Sequence, residues 1–267
     1  MPSDDFRPAA WIADLRRAAQ LLTRIPLPGD AGPPEPGALA RALRVFPLVG
    51  ALLGLAGALV LAATHLLGLP QPAGPLLALA AVMLLTGALH EDGLADTADG
   101  FGVRRSPAER LAIMRDSRIG TFGVLALGMM LAIKVAALAA MPPWLAGAAL
   151  VATAAASRSV FPVLAIALPP ARSDGLGAGM GRPSGATMAI AIGLGVAALL
   201  AAVGPARATA ALAAATAAVL VLGWLARRQV GGYTGDVLGA TQQTTETVML
   251  LAIAAQPWAS PAWAAQP

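Results

Sequence analysis

Seven apolar stretches, each long enough to cross a lipid bilayer, occupy most of this chain. They lie near residues 45–68, 74–93, 119–141, 144–168, 186–204, 207–226 and 236–256, and a spanning helix needs about 20 mainly apolar residues. Only 12% of the residues are charged, which is about half the fraction typical of a soluble domain. We therefore predict an all-α fold, a polytopic membrane helical bundle of about seven transmembrane helices.

Before the first span, residues 9–24 mix apolar side chains with Asp14, Arg16 and Arg17. This pattern predicts an N-terminal amphipathic helix that lies in the membrane interface. No polar linker divides the chain, so we interpret residues 1–267 as a single integral-membrane domain. Cysteine is absent, which leaves no disulfide framework, zinc-thiolate site or thiol nucleophile to consider.

The cationic residues are distributed unequally between the two sets of predicted loops. Loops on one side hold Arg7, Arg16, Arg17, Arg24, Arg41, Arg44, Arg104, Arg105, Arg110, Arg115, Arg118, Arg172, Arg182, Arg227 and Arg228. The opposite loops contribute only Arg207. Short loops rich in arginine face the cytoplasm, so this side is predicted to be cytoplasmic and the C-terminus external. Because the cations are dispersed among apolar spans, a nucleic-acid partner is not expected.

One cytoplasmic segment, LHEDGLADTADGFG at residues 89–102, concentrates acidic side chains directly after an apolar run. On a helix, Asp92, Asp96 and Asp99 follow an i, i+4, i+7 spacing and share an arc of roughly 60°. Three carboxylates on one stripe repel each other unless a hard divalent cation binds them, and such a cation usually retains waters and a substrate phosphate. The alternative is a solvated acidic helix end. Gly93 and Gly100 argue against that alternative because they weaken a helix unless something must approach its backbone.

A second polar segment, MRDSRIGTFG at residues 114–123, precedes the third span. Arg115 and Arg118 flank Asp116, and Gly120 and Thr121 follow at the expected helix start. Arginines beside the N–H groups of a helix start are typical of a phosphate-binding site. The alternative for the arginines alone is ordinary flanking of a span by positive charge.

Two further groups of polar residues lie inside predicted spans. Arg158, in ASRSV, lies roughly 15 Å below the cytoplasmic boundary at about 1.5 Å per residue, where it must snorkel, pair or bind an anion. Asp236 and Gln243 share one face of the seventh span, and Glu246 lies about as deep as Arg158. An ion pair between Arg158 and Glu246 is one prediction, and phosphate binding by Arg158 is the other. The glycine-rich loop 172–185 is either a flexible loop or a phosphate cradle.

Metal-binding carboxylates, arginines and glycine-lined backbone at one cytoplasmic surface suit phosphoryl or phosphodiester transfer. In such reactions, catalysis consists mainly of positioning a diphosphate and neutralising its charge. A hydroxyl nucleophile also needs a base, and a carboxylate among Glu91, Asp99 and Asp116 that does not bind metal could serve.

Several motifs in this chain resemble those of the cobalamin synthase family, the adenosylcobinamide-GDP ribazoletransferases. The acidic motif HEDGLADTADGFG is the most specific of them. The other motifs occur in the family's order along nearly the whole chain: LLTRIPLP at 21–28, FPLVG at 46–50, RDSRIGTFG at 115–123, ASR at 156–158 and GDVLGAT at 235–241.

The resemblance implies a magnesium-dependent, multi-pass enzyme of the cell inner membrane that acts on the cytoplasmic side. Its substrates would be adenosylcobinamide-GDP and α-ribazole or α-ribazole 5′-phosphate, and GMP would be released in the final assembly stage of cobalamin. The expected site comprises Asp92, Asp96 and Asp99 for Mg²⁺, Glu91 and Asp116 for catalysis, and a phosphate-binding group. That group is Arg115, Arg118, Arg158, Gly120 and Thr121, with Asp236, Gln243 and Glu246 as further site residues. A homo-oligomer is left open.

Two other functions remain alternatives at this point. A CDP-alcohol phosphatidyltransferase performs analogous chemistry, but in its motif an arginine follows DGxxA, where this chain has Asp96 and Thr97. A secondary transporter would use buried acids as proton or cation sites, but it should place them near mid-membrane in repeated halves. Here the acids gather at one face, and no internal repeat is visible.

Overall fold

The protein is described here by a computed structural model that covers residues 7–28 and 37–255. In these ranges the chain forms twelve α-helices, a single-turn 3-10 helix at Leu43–Val45 and no strand beyond an isolated bridge between Pro170 and Tyr233. The helices are α1 (Pro8–Leu22), α2 (Ala38–Ala42), α3 (Phe46–Leu66), α4 (Ala73–Thr86), α5 (Leu89–Gly102), α6 (Pro107–Ile113), α7 (Thr121–Ala139), α8 (Pro143–Ser157), α9 (Val160–Ala167), α10 (Gly175–Gly179), α11 (Gly185–Val230) and α12 (Gly235–Ala254). The predicted all-α, polytopic fold is confirmed.

The predicted count of seven spans is not settled by the helices. Four helical stretches among the described residues are long and apolar enough to cross a membrane, and α4 with α5 makes a fifth if the bent pair counts as one span. The 46-residue α11 leaves helical geometry at Gly204, and Ile192 and Leu220 from its two limbs line the same cavity. These limbs therefore lie side by side, as two of the predicted spans require. The seventh predicted span, residues 236–256, corresponds to the polar helix α12. Gln256, at the end of that predicted span, lies outside the described residues.

The predicted span over 74–93 is not one continuous helix, because it is bent near its C-terminal end. Gly87 and Ala88 both adopt left-handed backbone conformations, with φ of +67° and +57°, and α5 leaves the axis of α4 at 92°. A left-handed conformation costs a non-glycine residue roughly 1–2 kcal/mol, so packing must hold Ala88 in place. The turn carries the acidic segment out of line with α4 and lays it against α7 and α12.

Close packing by small residues joins the central helices. A Cβ on Gly54 of α3 would lie 2.5 Å from the carbonyl oxygen of Leu150 in α8, and one on Gly50 would overlap the carbonyl of Ala154. Gly50 and Gly54 are four residues apart, so together they form the small-residue seam that lets membrane helices approach closely. This contact holds α8 against α3. It also positions Arg158, which directly follows the last residue of α8.

The predicted N-terminal helix is confirmed as α1, and it packs on the bundle through the buried Ala18 and Leu22. Asp14 of α1 is fully buried, with its carboxylate 2.9 Å from Nη2 of Arg44 and 3.2 Å from Nε of Arg41. A buried carboxylate requires such partners, so this cluster fastens α1 to α2 and to the 3-10 helix that precedes α3. The position of α1 in a membrane interface stays a prediction.

Candidate active site

The acidic segment is helical throughout, so the predicted stripe of Asp92, Asp96 and Asp99 exists on α5. Its three members differ in environment. Asp92 is exposed and Asp96 is half-buried, and neither carboxylate forms a hydrogen bond or ion pair with another described residue. Asp99 is buried, with 8% of its surface exposed. Two of the three carboxylates are therefore available to a ligand.

Asp99 binds the start of the next long helix. Its Oδ2 accepts a hydrogen bond from the N–H of Gly120 at 2.7 Å, and its Oδ1 accepts one from the N–H of Gly123 at 2.9 Å. These N–H groups belong to the first turn of α7, where a carboxylate also interacts favourably with the helix dipole. Side chains at either glycine would collide with the carboxylate, which explains both glycines. The N–H of Gly120 is thus engaged by Asp99, and phosphate binding by Thr121 stays a prediction.

Asp236 lies across from this stripe, in the first turn of α12. Its carboxylate lies 3.3 Å from Nη2 of Arg172 and accepts a hydrogen bond from the hydroxyl of Thr234 at 3.1 Å. A Cβ on Gly93 would lie 2.8 Å from the carbonyl oxygen of Asp236. Gly93 therefore has the role expected from the sequence: it lets a second backbone approach the acidic helix.

A cavity of about 150 Å³ opens where α5 and α12 meet. Its charged side is formed by Asp92, Asp236 and Arg172, with His90 beside them. The opposite wall is apolar and comprises Leu21, Leu22, Leu89, Phe161, Met180 and Leu238. Of the two alternatives for loop 172–185, this placement favours a ligand-binding role for Arg172. Leu21 and Leu22 are the last two residues of α1 and the first two of the LLTRIPLP segment, so the start of that segment lines the cavity.

The three aspartates predicted to bind magnesium are not equally suited to it. Among the residues that the structure describes, no three His, Asp or Glu side chains converge on one point as a ready-made metal site. Mg²⁺ commonly needs only one or two protein carboxylates, because waters and substrate phosphates complete its shell. Asp92 and Asp96 meet this requirement. Asp99 is less suited, because N–H groups of α7 already engage both of its oxygens, and its part in metal binding stays a prediction.

The arginines around Asp116 are paired with acids. Nη2 of Arg118 lies 2.7 Å from Oδ2 of Asp116, and Arg115 forms an ion pair with Asp174 in the loop before α10. All four side chains are exposed. Hydrogen bonds from Arg118 lower the pKa of Asp116 to about 2. A carboxylate with so low a pKa is a weak base near neutral pH, so the structure does not favour the predicted catalytic role of Asp116.

Buried polar residues from α5, α7, the end of α8 and α12 form a set that we call the inner polar cluster: His90, Glu91, Lys134, Ser157, Arg158, Gln242, Gln243 and Glu246. Nζ of Lys134 lies 2.9 Å from Oε1 of Glu246, and Nη1 of Arg158 lies 3.9 Å from Oε2 of the same residue. Of the two predictions for Arg158, the ion pair with Glu246 is confirmed. Phosphate binding is not supported, because Arg158 is buried in a separate small cavity.

Glu91 belongs to this cluster rather than to the cavity of Asp92. Its Oε1 accepts a hydrogen bond from Nε2 of Gln243 at 2.9 Å, and the residue lines the same small cavity as Arg158. Adjacent helical residues point about 100° apart, so Glu91 and Asp92 face different sides of α5. The predicted catalytic role of Glu91 therefore lacks a route to a ligand bound at Asp92. The sequence offered a signal for Lys134, since it is the only lysine and lies within an apolar span.

Comparisons with known proteins agree on one family. A family model described as cobalamin-5-phosphate synthase matches residues 14–254. A relative from Bradyrhizobium diazoefficiens is 50% identical over 245 residues, which cover 91% of this chain and 94% of the relative. Another from Azorhizobium caulinodans is 44% identical over 269 residues, covering 93% and 97%. Both are named adenosylcobinamide-GDP ribazoletransferase. No solved structure matches the chain.

Proposed function

The chain belongs to the cobalamin-5-phosphate synthase family, and we propose that it is an adenosylcobinamide-GDP ribazoletransferase, as its curated relatives are named. A ribose hydroxyl of α-ribazole, or of its 5′-phosphate, attacks the phosphorus attached to the cobinamide side chain. A new P–O bond forms to the ribose, the P–O bond to GMP breaks, and the hydroxyl proton passes to a base. The observation that carries this proposal is one cavity that joins two carboxylates, an arginine and an apolar wall in a chain whose residues 14–254 match the family.

We assign the metal to Asp92 and Asp96. A bound Mg²⁺ supplies neutralisation of the diphosphate charge. Asp92, which lines the cavity, and Asp96, four residues further along the same helix face, would hold it together. Arg172 lines the same cavity and presents a guanidinium to phosphate oxygens, for which its planar fork of donors is suited. Magnesium dependence is part of this proposal.

Asp236 replaces Glu91 and Asp116 as the proposed base. It lines the cavity with Asp92 and Arg172, whereas Glu91 faces the inner polar cluster and the exposed Asp116 does not line this cavity. The hydrogen bond from Thr234 and the ion pair with Arg172 fix the orientation of its carboxylate. A positioned carboxylate within reach of the hydroxyl meets the geometric requirement for a general base.

The apolar wall suits the base of α-ribazole. A flat, largely apolar bicyclic ring can contact Phe161 and Leu238 inside a cavity of about 150 Å³. The corrin macrocycle is much larger than this space, so we place it outside, at the cytoplasmic mouth. This division puts the ribose of the nucleoside between the apolar wall and the carboxylates, where its hydroxyl must react.

We also propose that the protein lies in the cell inner membrane with this cavity on the cytoplasmic side. The helices that meet the length and apolarity criteria support a multi-pass arrangement. The concentration of arginines in the loops at the cavity end supports the orientation. Both statements can be tested by labelling single cysteines in loops at the two ends, because the natural chain has none.

The direct test uses the full chain purified in detergent, adenosylcobinamide-GDP and α-ribazole. We expect release of GMP together with an equal amount of adenosylcobalamin when Mg²⁺ is present, and neither product when it is chelated. GMP release without the cobalamin product would overturn the transferase assignment. A parallel assay in sealed vesicles should show no net flux of substrate, since a transporter would move it without cleaving it.

A further inference from the structure

One side chain connects the inner polar cluster to the acidic helix. Gln243 of α12 accepts a hydrogen bond at Oε1 from Nζ of Lys134, at 2.6 Å, and donates one from Nε2 to Oε1 of Glu91, at 2.9 Å. An amide has chemically distinct ends. Because one end faces an ammonium and the other a carboxylate, only one orientation of the Gln243 amide satisfies both neighbours.

The cluster behind Gln243 is anchored firmly. Lys134 of α7 also donates to Oε1 of Glu246 at 2.9 Å, and Gln242 donates to Oε2 of Glu246 at 2.6 Å. Lys134, Gln243, Glu246 and Glu91 are each at most 7% exposed. Polar groups at such depth are costly unless they are paired, so a displacement of Gln243 would leave several groups unsatisfied together.

The chain of hydrogen bonds from Lys134 through Gln243 ends at Glu91, the residue before the proposed metal ligand Asp92. Glu91 and Asp92 are neighbours on α5, so fixing the direction of the Glu91 side chain fixes the rotation of the helix about its axis. The backbones allow little adjustment nearby. A Cβ on Gly239 of α12 would lie 3.2 Å from Cα of His90. Through Glu91, Gln243 thus contacts a helix that packs closely against its own.

We propose that Gln243 is a positioning residue, which holds Glu91 to Lys134 and thereby directs Asp92 and Asp96 toward the cavity. It does not touch the substrate in this assignment. The inference about helix rotation stands on the contacts alone, and its consequence for catalysis rests on the proposed function. Loss of a group that orients metal ligands typically costs about 10- to 100-fold in metal affinity or activity.

The first test measures the helix orientation without using activity. A single cysteine introduced as Asp96→Cys reacts with a maleimide at a rate set by its exposure, and the cysteine-free chain gives no background. Gln243→Leu in this background should change the labelling rate. Thr247→Val is the matched control, because Thr247 is also buried on α12 but bonds only the carbonyl of Gln243 within its own helix. It should leave the rate unchanged.

The second measurement uses the chain with Asp96 intact. Gln243→Leu should raise the Mg²⁺ concentration for half-maximal turnover by about 10-fold or more, while Thr247→Val should not. A folded Gln243→Leu protein with unchanged labelling and unchanged Mg²⁺ dependence would overturn the proposal. If labelling changes but the wild-type chain has no transferase activity, the positioning role stands and the proposed function fails.

A swapped pair guards against a variant that does not fold. Gln243→Glu alone places two carboxylates in contact, whereas Gln243→Glu with Glu91→Gln restores one donor and one acceptor and keeps a carboxylate beside Lys134. The double variant should recover thermal stability, labelling rate and Mg²⁺ dependence toward wild-type values. A double variant that behaves like Gln243→Glu alone would contradict the proposal.

Discussion

Lys134 of α7 and Glu246 of α12 form a buried ion pair, with 2.9 Å between Nζ and Oε1. The pair joins the helix that Asp99 caps to the helix that carries Asp236. Each residue has less than one tenth of its side chain exposed, so neither charge can be solvated when its partner is lost. Substitutions of buried, paired groups are therefore expected to change stability, and substitutions of exposed, unpaired carboxylates are expected to change activity.

Breaking the Lys134–Glu246 pair should destabilise the protein. Glu246→Gln leaves two buried cations, Lys134 and Arg158, without the carboxylate they share, and breaking a buried pair costs about 3–5 kcal/mol, so this variant should lower the melting temperature in detergent markedly. Lys134→Met should lower it less, because Arg158 still lies beside Glu246. The double variant should lose less than the sum of the two. Additive losses would mean that the two side chains do not interact.

Gly93→Ala should loosen the contact between α5 and α12. The new Cβ would lie 2.8 Å from the carbonyl oxygen of Asp236, and overpacking of this kind costs about 1–3 kcal/mol. Gly128→Ala in α7 is the control, since its Cβ would meet nothing within 4 Å. That change should be neutral or stabilise the helix by up to about 1 kcal/mol. Thermal melts of the two variants that coincide would contradict the close approach at Gly93.

Asp92 and Asp99 should separate into a functional and a structural carboxylate. Asp99→Ala removes the acceptor of two N–H groups at the start of α7 and should cost about 2 kcal/mol of stability. Asp92→Ala should leave thermal stability nearly unchanged, because the exposed Asp92 binds no other described residue, but it should abolish turnover. Equal losses of stability in the two variants would show that the stripe acts as one unit.

Asp116→Asn should retain most of the activity across the neutral range. Arg118 holds the pKa of Asp116 at about 2, so the wild-type carboxylate is already ionised throughout that range and does not titrate with turnover. The pH–rate profile of Asp116→Asn should therefore keep the wild-type midpoints. Loss of the acidic limb, where protonation of the base lowers the rate, would restore Asp116 as the base. Asp236→Asn, in contrast, should lose activity at every pH.

The sequence was enough to predict the helical bundle and to identify its important polar residues. It was not enough to predict which side chains those polar residues contact. Apolar runs and the i, i+4, i+7 spacing on α5 are local properties, and the structure confirms both. The bend at Gly87 and Ala88 was missed because alanine gives no sign of a left-handed conformation. This bend separates α5 from the axis of α4.

The partners of the polar residues depend on how distant helices are rotated. Equal depth in the membrane pointed correctly to Arg158 and Glu246, but depth is one coordinate of three, and the nearer partner is Lys134. The helical stripe likewise could not show that Asp99 is bonded to the start of α7. It also could not show that Asp236, about 140 residues further along the chain, lies opposite Asp92.

The central claim is that Asp92 and Asp96 hold the magnesium ion of a ribazoletransferase. Its most direct test is a Mg²⁺ titration of GMP release by the wild-type protein and by Asp96→Asn, which removes one charge without changing size. We expect the wild type to saturate with Mg²⁺, and Asp96→Asn to remain folded, with the wild-type melting temperature, and to show no turnover at any Mg²⁺ concentration. An Asp96→Asn protein with wild-type turnover at limiting Mg²⁺ would contradict the claim.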